Sequence, residues 1–185
     1  MRKNFGPKTA LYPMPVLIIG SYDENGKANA MNAAWGGIVD TGLIGICLSE
    51  DHRTTKNILK TGAFTVSMAD ADNVVPADYV GLVSGDKEPE KMEKAGWHCT
   101  NSEFVNAPII EELPMALECE LVSYDTELGL MIGKILNICA EERILTEGQI
   151  DLNKFRPITY DSFGHGYYTL GERVGSAFSD GKKLK

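Results

Sequence analysis

Short apolar runs broken by turn-forming residues recur along this chain, and their period is mostly that of strands. Val16–Tyr22 predicts a strand that stops at Asp23-Glu-Asn-Gly26. Asn-Gly is a strong hairpin signal, because both central residues of a type I′ turn need positive φ. Lys27–Ala34 is then the return strand. Leu43–Leu48 predicts a buried strand, apolar on both faces, and Phe64–Met68 another. Met115–Leu121 alternates, which predicts Met115, Leu117, Cys119 and Leu121 facing inward. Met131–Ala140 is a longer strand in which Gly133 predicts a bulge or bend. Several short strands with tight turns are the pattern of a sandwich or barrel.

Helical signals are fewer. Thr54–Lys60 follows threonines suited to capping and stops before Gly62. Asn73–Val83 carries apolar residues at helical spacing with Pro76 in its first turn, and Pro89–Ala95 predicts a further turn or two. No repeat, low-complexity tract or composition break marks a linker. The fold class expected is mainly β with a few helices laid against a barrel, in a single domain over residues 1–185.

Composition narrows the function classes. The 185 residues are 43% hydrophobic and 24% charged, ordinary values for a globular protein with a substantial core. No apolar run is long enough to span a bilayer, and Met1–Pro7 lacks the apolar centre of a signal peptide. A net charge of −8 argues against a nucleic-acid partner. Cys47, Cys99, Cys119 and Cys139 form no CxxC pair, so a reducing cytoplasm is the expected setting. Cys47, Cys119 and Cys139 sit in apolar stretches, where cysteine acts as a small hydrophobe. His98-Cys99 is too small a set for zinc; a surface loop is expected there, and no metal site elsewhere.

Two segments carry candidate chemistry. The stretch Lys27–Gly37 is thinned by Ala28, Ala30, Ala33, Ala34, Gly36 and Gly37, between Asn29, Asn32 and Trp35. Thin backbone edged with amides suits a flat, heteroatom-rich ligand that must approach the main chain. The same stretch also suits a tight corner in a structural or protein-binding barrel. Downstream, Ser49–Asn57 runs from a strand into a helix through Arg53, Thr54 and Thr55. Free N–H groups and the positive end of the helix dipole favour an anion there, and Arg53 adds a fork for phosphate oxygens. Glu50 and Asp51 must then point away; otherwise Thr54 is only a cap and Arg53 a solvated charge. Together the two segments suit a planar heterocycle bearing a phosphate tail.

The chain resembles the flavin reductase-like FMN-binding split barrels, and within them the flavoredoxin-like subgroup. The resemblance spans roughly Tyr12 to Gly171, with a C-terminal extension beyond. It is carried by Pro13–Gly20, Asn29–Trp35, His52–Ile58, Gly62–Val66, Ser84-Gly85 with Lys91-Met92, Ala107–Ile109 before Leu117–Cys119, Ile132–Ile135 and Tyr168–Glu172. It implies a split β-barrel homodimer with noncovalent FMN near the subunit interface. Carried over by position, Asn29, Ala30, Met31, Asn32 and Trp35 contact the ring or ribityl chain. Cys47, Leu48 and Ser49 supply strand-edge contacts. Arg53, Thr54 and Thr55 hold the phosphate, with Lys91 as a second cation. Phe163 packs near the flavin, from the same or the partner subunit. No catalytic side chain is implied; electrons come from NAD(P)H or a reduced protein such as a ferredoxin. One departure bears on the donor. Many relatives carry Gly-Asp-His before the strand holding Gly133, whereas this chain has Thr126-Glu-Leu-Gly-Leu130 without a histidine.

Overall fold

The computed structural model describes all 185 residues. Its strands are β1 (Leu17–Tyr22), β2 (Ala28–Ala33), β3 (Gly36–Asp40), β4 (Leu43–Cys47), β5 (Ala63–Met68), β6 (Cys99–Asn101), β7 (Pro108–Ile110), β8 (Met115–Asp125) and β9 (Leu130–Ala140). Two short hairpins follow, β10 (Leu145–Thr146) with β11 (Gln149–Ile150), and β12 (Ile158–Asp161) with β13 (Gly166–Thr169). The helices are α1 (Arg53–Thr61), α2 (Val74–Leu82) and the single turn α3 (Lys91–Lys94). None is long and apolar enough to cross a membrane.

Seven strands form one antiparallel sheet in the order β2-β1-β5-β8-β9-β4-β3. Its two outermost strands, β2 and β3, are consecutive in sequence and joined only by Ala34 and Trp35. The sheet therefore curls until its edges meet, and because β2 and β3 share no ladder the barrel stays split.

The strand β1 is buried on both faces, which explains its unbroken apolar run. Leu17 and Ile19 point into the barrel with Ile44, Ile46, Phe64, Val66, Leu117 and Met131. Val16 and Ile18 point the other way, into a second core with Ala77 and Val80 of α2, Trp97 and Ile110. The register pairs Ala33 with Leu17, Met31 with Ile19 and Asn29 with Ser21, so these β2 residues share the barrel side. Ala30 and Asn32 lie on the α2 side. The small residues expected to thin one inner face are thus divided between two cores.

Four details differ from expectation. Only Gly26 of the first hairpin turn has positive φ, and its N–H donates to the Asp23 carbonyl at 3.0 Å. The Asp23 carboxylate accepts from the N–H groups of Asn25 and Lys27, so this is a three-residue loop with a left-handed glycine rather than a type I′ turn. The cap of α1 is His52, not a threonine, and its side chain makes no capping bond. In β8, Ala116 and Glu118 are buried as deeply as the inward residues, because the β6–β7 arm covers that face. Ser102 of the arm donates to Glu118 at 2.5 Å, and Thr65 of β5 donates to the Pro108 carbonyl at 2.6 Å. Cys47 is exposed and is not a buried hydrophobe, whereas Cys119 is fully buried. His98 lies in a loop as expected, with its ring 2.6 Å from Glu112.

Gly133 sits beside a β-bulge, between its own pairing with Leu121 and that of Ile132 with Ser123. A Cβ there would lie 2.3 Å from the Phe64 ring, so the glycine makes room for a fully buried aromatic of the barrel core. Gly133→Ala should therefore lower stability by about 1–3 kcal/mol in chemical denaturation. Adding Phe64→Leu should recover part of that loss. Two independent, additive losses would show that the ring is not the obstacle.

Candidate functional site

A cavity of about 210 Å³ opens where β2, the start of α1 and the end of α2 converge. Asn29 and Met31 come from β2, His52, Arg53 and Thr54 from the head of α1, and Lys91 from α3. The segment Val80–Gly85 forms the remaining wall.

The polar chemistry on these walls favours an anion. No acidic residue stands in the first turn of α1, so its free N–H groups and dipole are not neutralised from within. Asn29 is 8% exposed and donates to Thr54 Oγ1 at 2.7 Å, while its Oδ1 has no partner. That oxygen is an acceptor and costs free energy if left unmet in a buried wall, so it suits a hydroxyl or N–H of a ligand rather than the anion itself. Gly85 makes this arrangement possible, because a Cβ there would come within 2.4 Å of Asn29 Oδ1. Thr55 does not line the cavity: it is wholly buried beneath the head of α1, and its hydroxyl also lacks a partner. Glu50 and Asp51 are exposed and do not line the cavity.

The two cations are held differently. Arg53 is clamped between Asp23 at 3.0 Å and Asp86 at 3.2 Å, which fixes the guanidinium while offsetting its charge. Lys91 is only 3% exposed, so it is not a solvated helix charge. Its ammonium donates to the carbonyls of Val80 at 3.0 Å and Val83 at 2.8 Å, at the C-terminal end of α2. Burial pushes its pKa down to about 8.

The other sequence candidates lie elsewhere. Trp35 is 59% exposed and lines a separate groove of about 460 Å³ with the segment Lys8–Leu11 and Pro13–Pro15. Phe163 is half-exposed, with its ring edge-on to Phe5 at 5.9 Å, in a neighbouring groove that shares Lys8 and Ala10 with the first. Neither is a core aromatic. Asn32 donates to the Ala77 carbonyl at 3.0 Å and so fastens α2 to β2; Ala30 is fully buried beside it. Leu48 is core, its carbonyl accepting from Tyr124 at 2.8 Å and its N–H donating to Gly129 at 2.7 Å. Cys47 donates its N–H to the Trp35 carbonyl at 2.8 Å, and Ser49 is exposed. Cys47, Leu48 and Ser49 therefore do not reach the cavity. Sequence reasoning missed Asp23, Asp86 and the Val80–Val83 wall. The only available signal was the Ser84-Gly85-Asp86 turn that follows an apolar helical stretch.

Residues 9–161 match the model of the flavin reductase like domain. The chain belongs to that family. It is similar to the flavoredoxin of Desulfovibrio vulgaris (Miyazaki F), with 35% identity, a TM-score of 0.93, and 98% of this chain and 100% of that one covered. A flavoredoxin from Methanosarcina acetivorans is 28% identical with a TM-score of 0.89, both chains being covered completely. An FMN-binding domain of a flavin reductases-like enzyme from Shewanella baltica OS155 shares the fold at 19% identity, with a TM-score of 0.80 over 88% of each chain.

An anion placed beside Lys91 stabilises its charged form, so binding draws in a proton above pH 8 and anion affinity falls as pH rises through that region. Titrating Lys91 by heteronuclear NMR should give a midpoint near 8. Added inorganic phosphate should move that midpoint upward. A midpoint indifferent to phosphate would remove Lys91 from the anion contact.

Proposed function

We propose that this chain is an FMN-binding redox protein of the flavoredoxin and flavin reductase type. The observation that carries the reading is the uncapped, acid-free head of α1 opening on one small cavity, beside the buried Asn29 Oδ1, an acceptor left open for a ligand hydroxyl such as those of a ribityl chain. A phosphate at the helix head meets free N–H groups, the Thr54 hydroxyl and the Arg53 fork, with the Lys91 ammonium behind it. Asn29 and Met31 line the path along β2 toward Trp35, and Trp35 and Phe163 offer exposed aromatic faces for a flat ring. These residues fit FMN in the donors they present and in the room that Gly85 leaves.

Bound flavin would supply the electron chemistry. The protein orients it, excludes water and sets its potential through hydrogen bonds; no side-chain acid or base is required. Electrons would enter from NAD(P)H or from a reduced protein donor of the ferredoxin type. The Thr126–Leu130 loop, which lacks a histidine, favours the protein donor, and with it a carrier that does not turn over steadily with nicotinamides. We further propose a cytoplasmic homodimer of single-domain chains. Its support is the set of exposed apolar side chains at this end of the sheet, Ile38 and Val39 of β3, Val122 of β8, and Leu136 and Ile138 of β9.

The purified protein should be yellow, or become so with added FMN, and bleach anaerobically with its donor. A colourless preparation that takes up no FMN would overturn the reading. Bleaching by NADH or NADPH would make it a reductase, whereas bleaching only by a reduced ferredoxin would make it a carrier. Trp35→Ala and Thr55→Ala should each weaken FMN retention without unfolding the chain. Unchanged retention would remove the substituted residue from the site.

A further inference from the structure

Helix α1 meets the barrel through a mostly polar face. Its buried side chains are Thr54, Thr55, Asn57 and Ile58, while Leu59, its only other aliphatic residue, is exposed. A surface helix ordinarily buries an apolar stripe. Here Ile58 alone joins the barrel core, and a single apolar anchor sets the distance of a helix from a sheet but not its rotation or its slide. The remaining contacts are hydrogen bonds. Thr54 accepts from Asn29 at 2.7 Å, and Asn57, three residues on, donates from its side-chain amide to Ser21 Oγ at 3.2 Å. Asn29 and Ser21 are paired directly across β2 and β1, so two residues on one face of the helix meet one cross-strand pair of the sheet. Ser21 and Asn57 are both buried, and neither lines the cavity. On the outer face of α1 the pairs Lys56–Asp86 and Lys60–Glu24 are open to solvent and contribute little to its placement.

We propose that Ser21 and Asn57 are positioning residues for the anion site: their hydrogen bond holds α1 at the rotation and height where its free N–H groups face the cavity. The inference rests on the anion reading of that helix head and deepens it. A buried polar pair is a costly way to dock a helix, because apolar groups of the same shape dock it about as firmly. What the pair adds is direction. A bond of this length is lost once its partners separate by roughly another half ångström, whereas an apolar contact persists. N–H donors at the helix head need the same tolerance toward a phosphate oxygen. The polar seam is closed at Asn57 and open at the head, where Asn29 Oδ1 and Thr55 Oγ1 lack partners. Asn57 therefore fixes the helix from behind the ligand position, before any ligand arrives.

In the full-length protein, inorganic phosphate should shift the backbone amide NMR signals of Arg53, Thr54 and Thr55. The double variant Ser21→Ala/Asn57→Leu replaces both partners by apolar groups of matching skeleton, so its midpoint of chemical denaturation should hold or rise. Its phosphate affinity should nevertheless fall about tenfold, the loss of roughly one charge-assisted hydrogen bond. Titrations followed by flavin fluorescence should show FMN weakened by a similar factor and riboflavin, which has no phosphate, unaffected. Ser21→Ala alone removes one buried oxygen away from the cavity; it should show the same split to a smaller degree and carries the test if the double variant does not fold. Unchanged phosphate affinity in a folded variant would overturn the proposal. Equal losses for FMN and riboflavin would also overturn it, since they mark a general loosening of the fold. So would phosphate that shifts none of the three amides in the unsubstituted protein. A chain that binds phosphate at those amides, loses it in the variants and takes up no flavin would sink the FMN reading alone and leave the positioning role standing.

Discussion

The two residues Ala34 and Trp35 connect opposite ends of a seven-stranded sheet, and most of the molecule follows from that link. Three Cα steps separate Ala33 from Gly36, so the edges of the sheet stand no more than about 11 Å apart. An open twisted sheet cannot meet that limit; a curled one can. The link is secured where the Cys47 N–H reaches the Trp35 carbonyl. Gly36 admits the close approach, since a Cβ there would lie 2.9 Å from both the Gly45 carbonyl and a Leu17 methyl. With the edges so near but not hydrogen-bonded, β2 keeps one side free of a strand neighbour. Helices α1 and α2 pack along it instead, α1 through Thr54 on Asn29 and α2 through Ala77 on Asn32.

Alternation along β2 then sorts its chemistry. Asn29 and Met31 face the head of α1, while Asn32, one register step out of phase, is spent on α2. Two asparagines that look equivalent in the sequence therefore have separate tasks, one at the cavity wall and one in the frame behind it. Six residues along the same segment lies Trp35, about 20 Å away at full strand extension. In the proposed reading this is how one strand serves both the phosphate end and the ring end of a single ligand.

Much of this was legible in the sequence. The strands Leu17–Tyr22, Ala28–Ala33 and Ala63–Met68 and the helix ending at Gly62 followed from periodicity and stop signals. Gly62 does adopt the left-handed conformation expected of a helix-terminating glycine. The strand Gly36–Asp40 gave no such signal, being glycine-led and exposed at a sheet edge. The hairpin was legible but its turn type was not, because the Asp23 carboxylate organises the loop through contacts that spacing does not encode. For the same reason the clamp on Arg53 stayed hidden: Asp23, Arg53 and Asp86 are far apart in the chain, and only the packing of α1 between a hairpin and a loop unites them. The family resemblance makes Lys91 a cation near a phosphate. Its burial against the end of α2 could not be read from a sequence whose neighbours are mostly charged.

The clamp also bears on how an anion could be held at all by a chain of net charge −8. With two carboxylates on one guanidinium, the Arg53 cluster is not a net positive centre, and an ammonium that deprotonates near pH 8 is a moderate one. Long-range attraction is therefore a poor source of affinity here. What remains is short-range and directional: N–H groups at the head of a helix, a threonine hydroxyl and a guanidinium held still. Such donors act only on an oxygen placed within hydrogen-bond reach, and they lose nothing to reorganisation when it arrives.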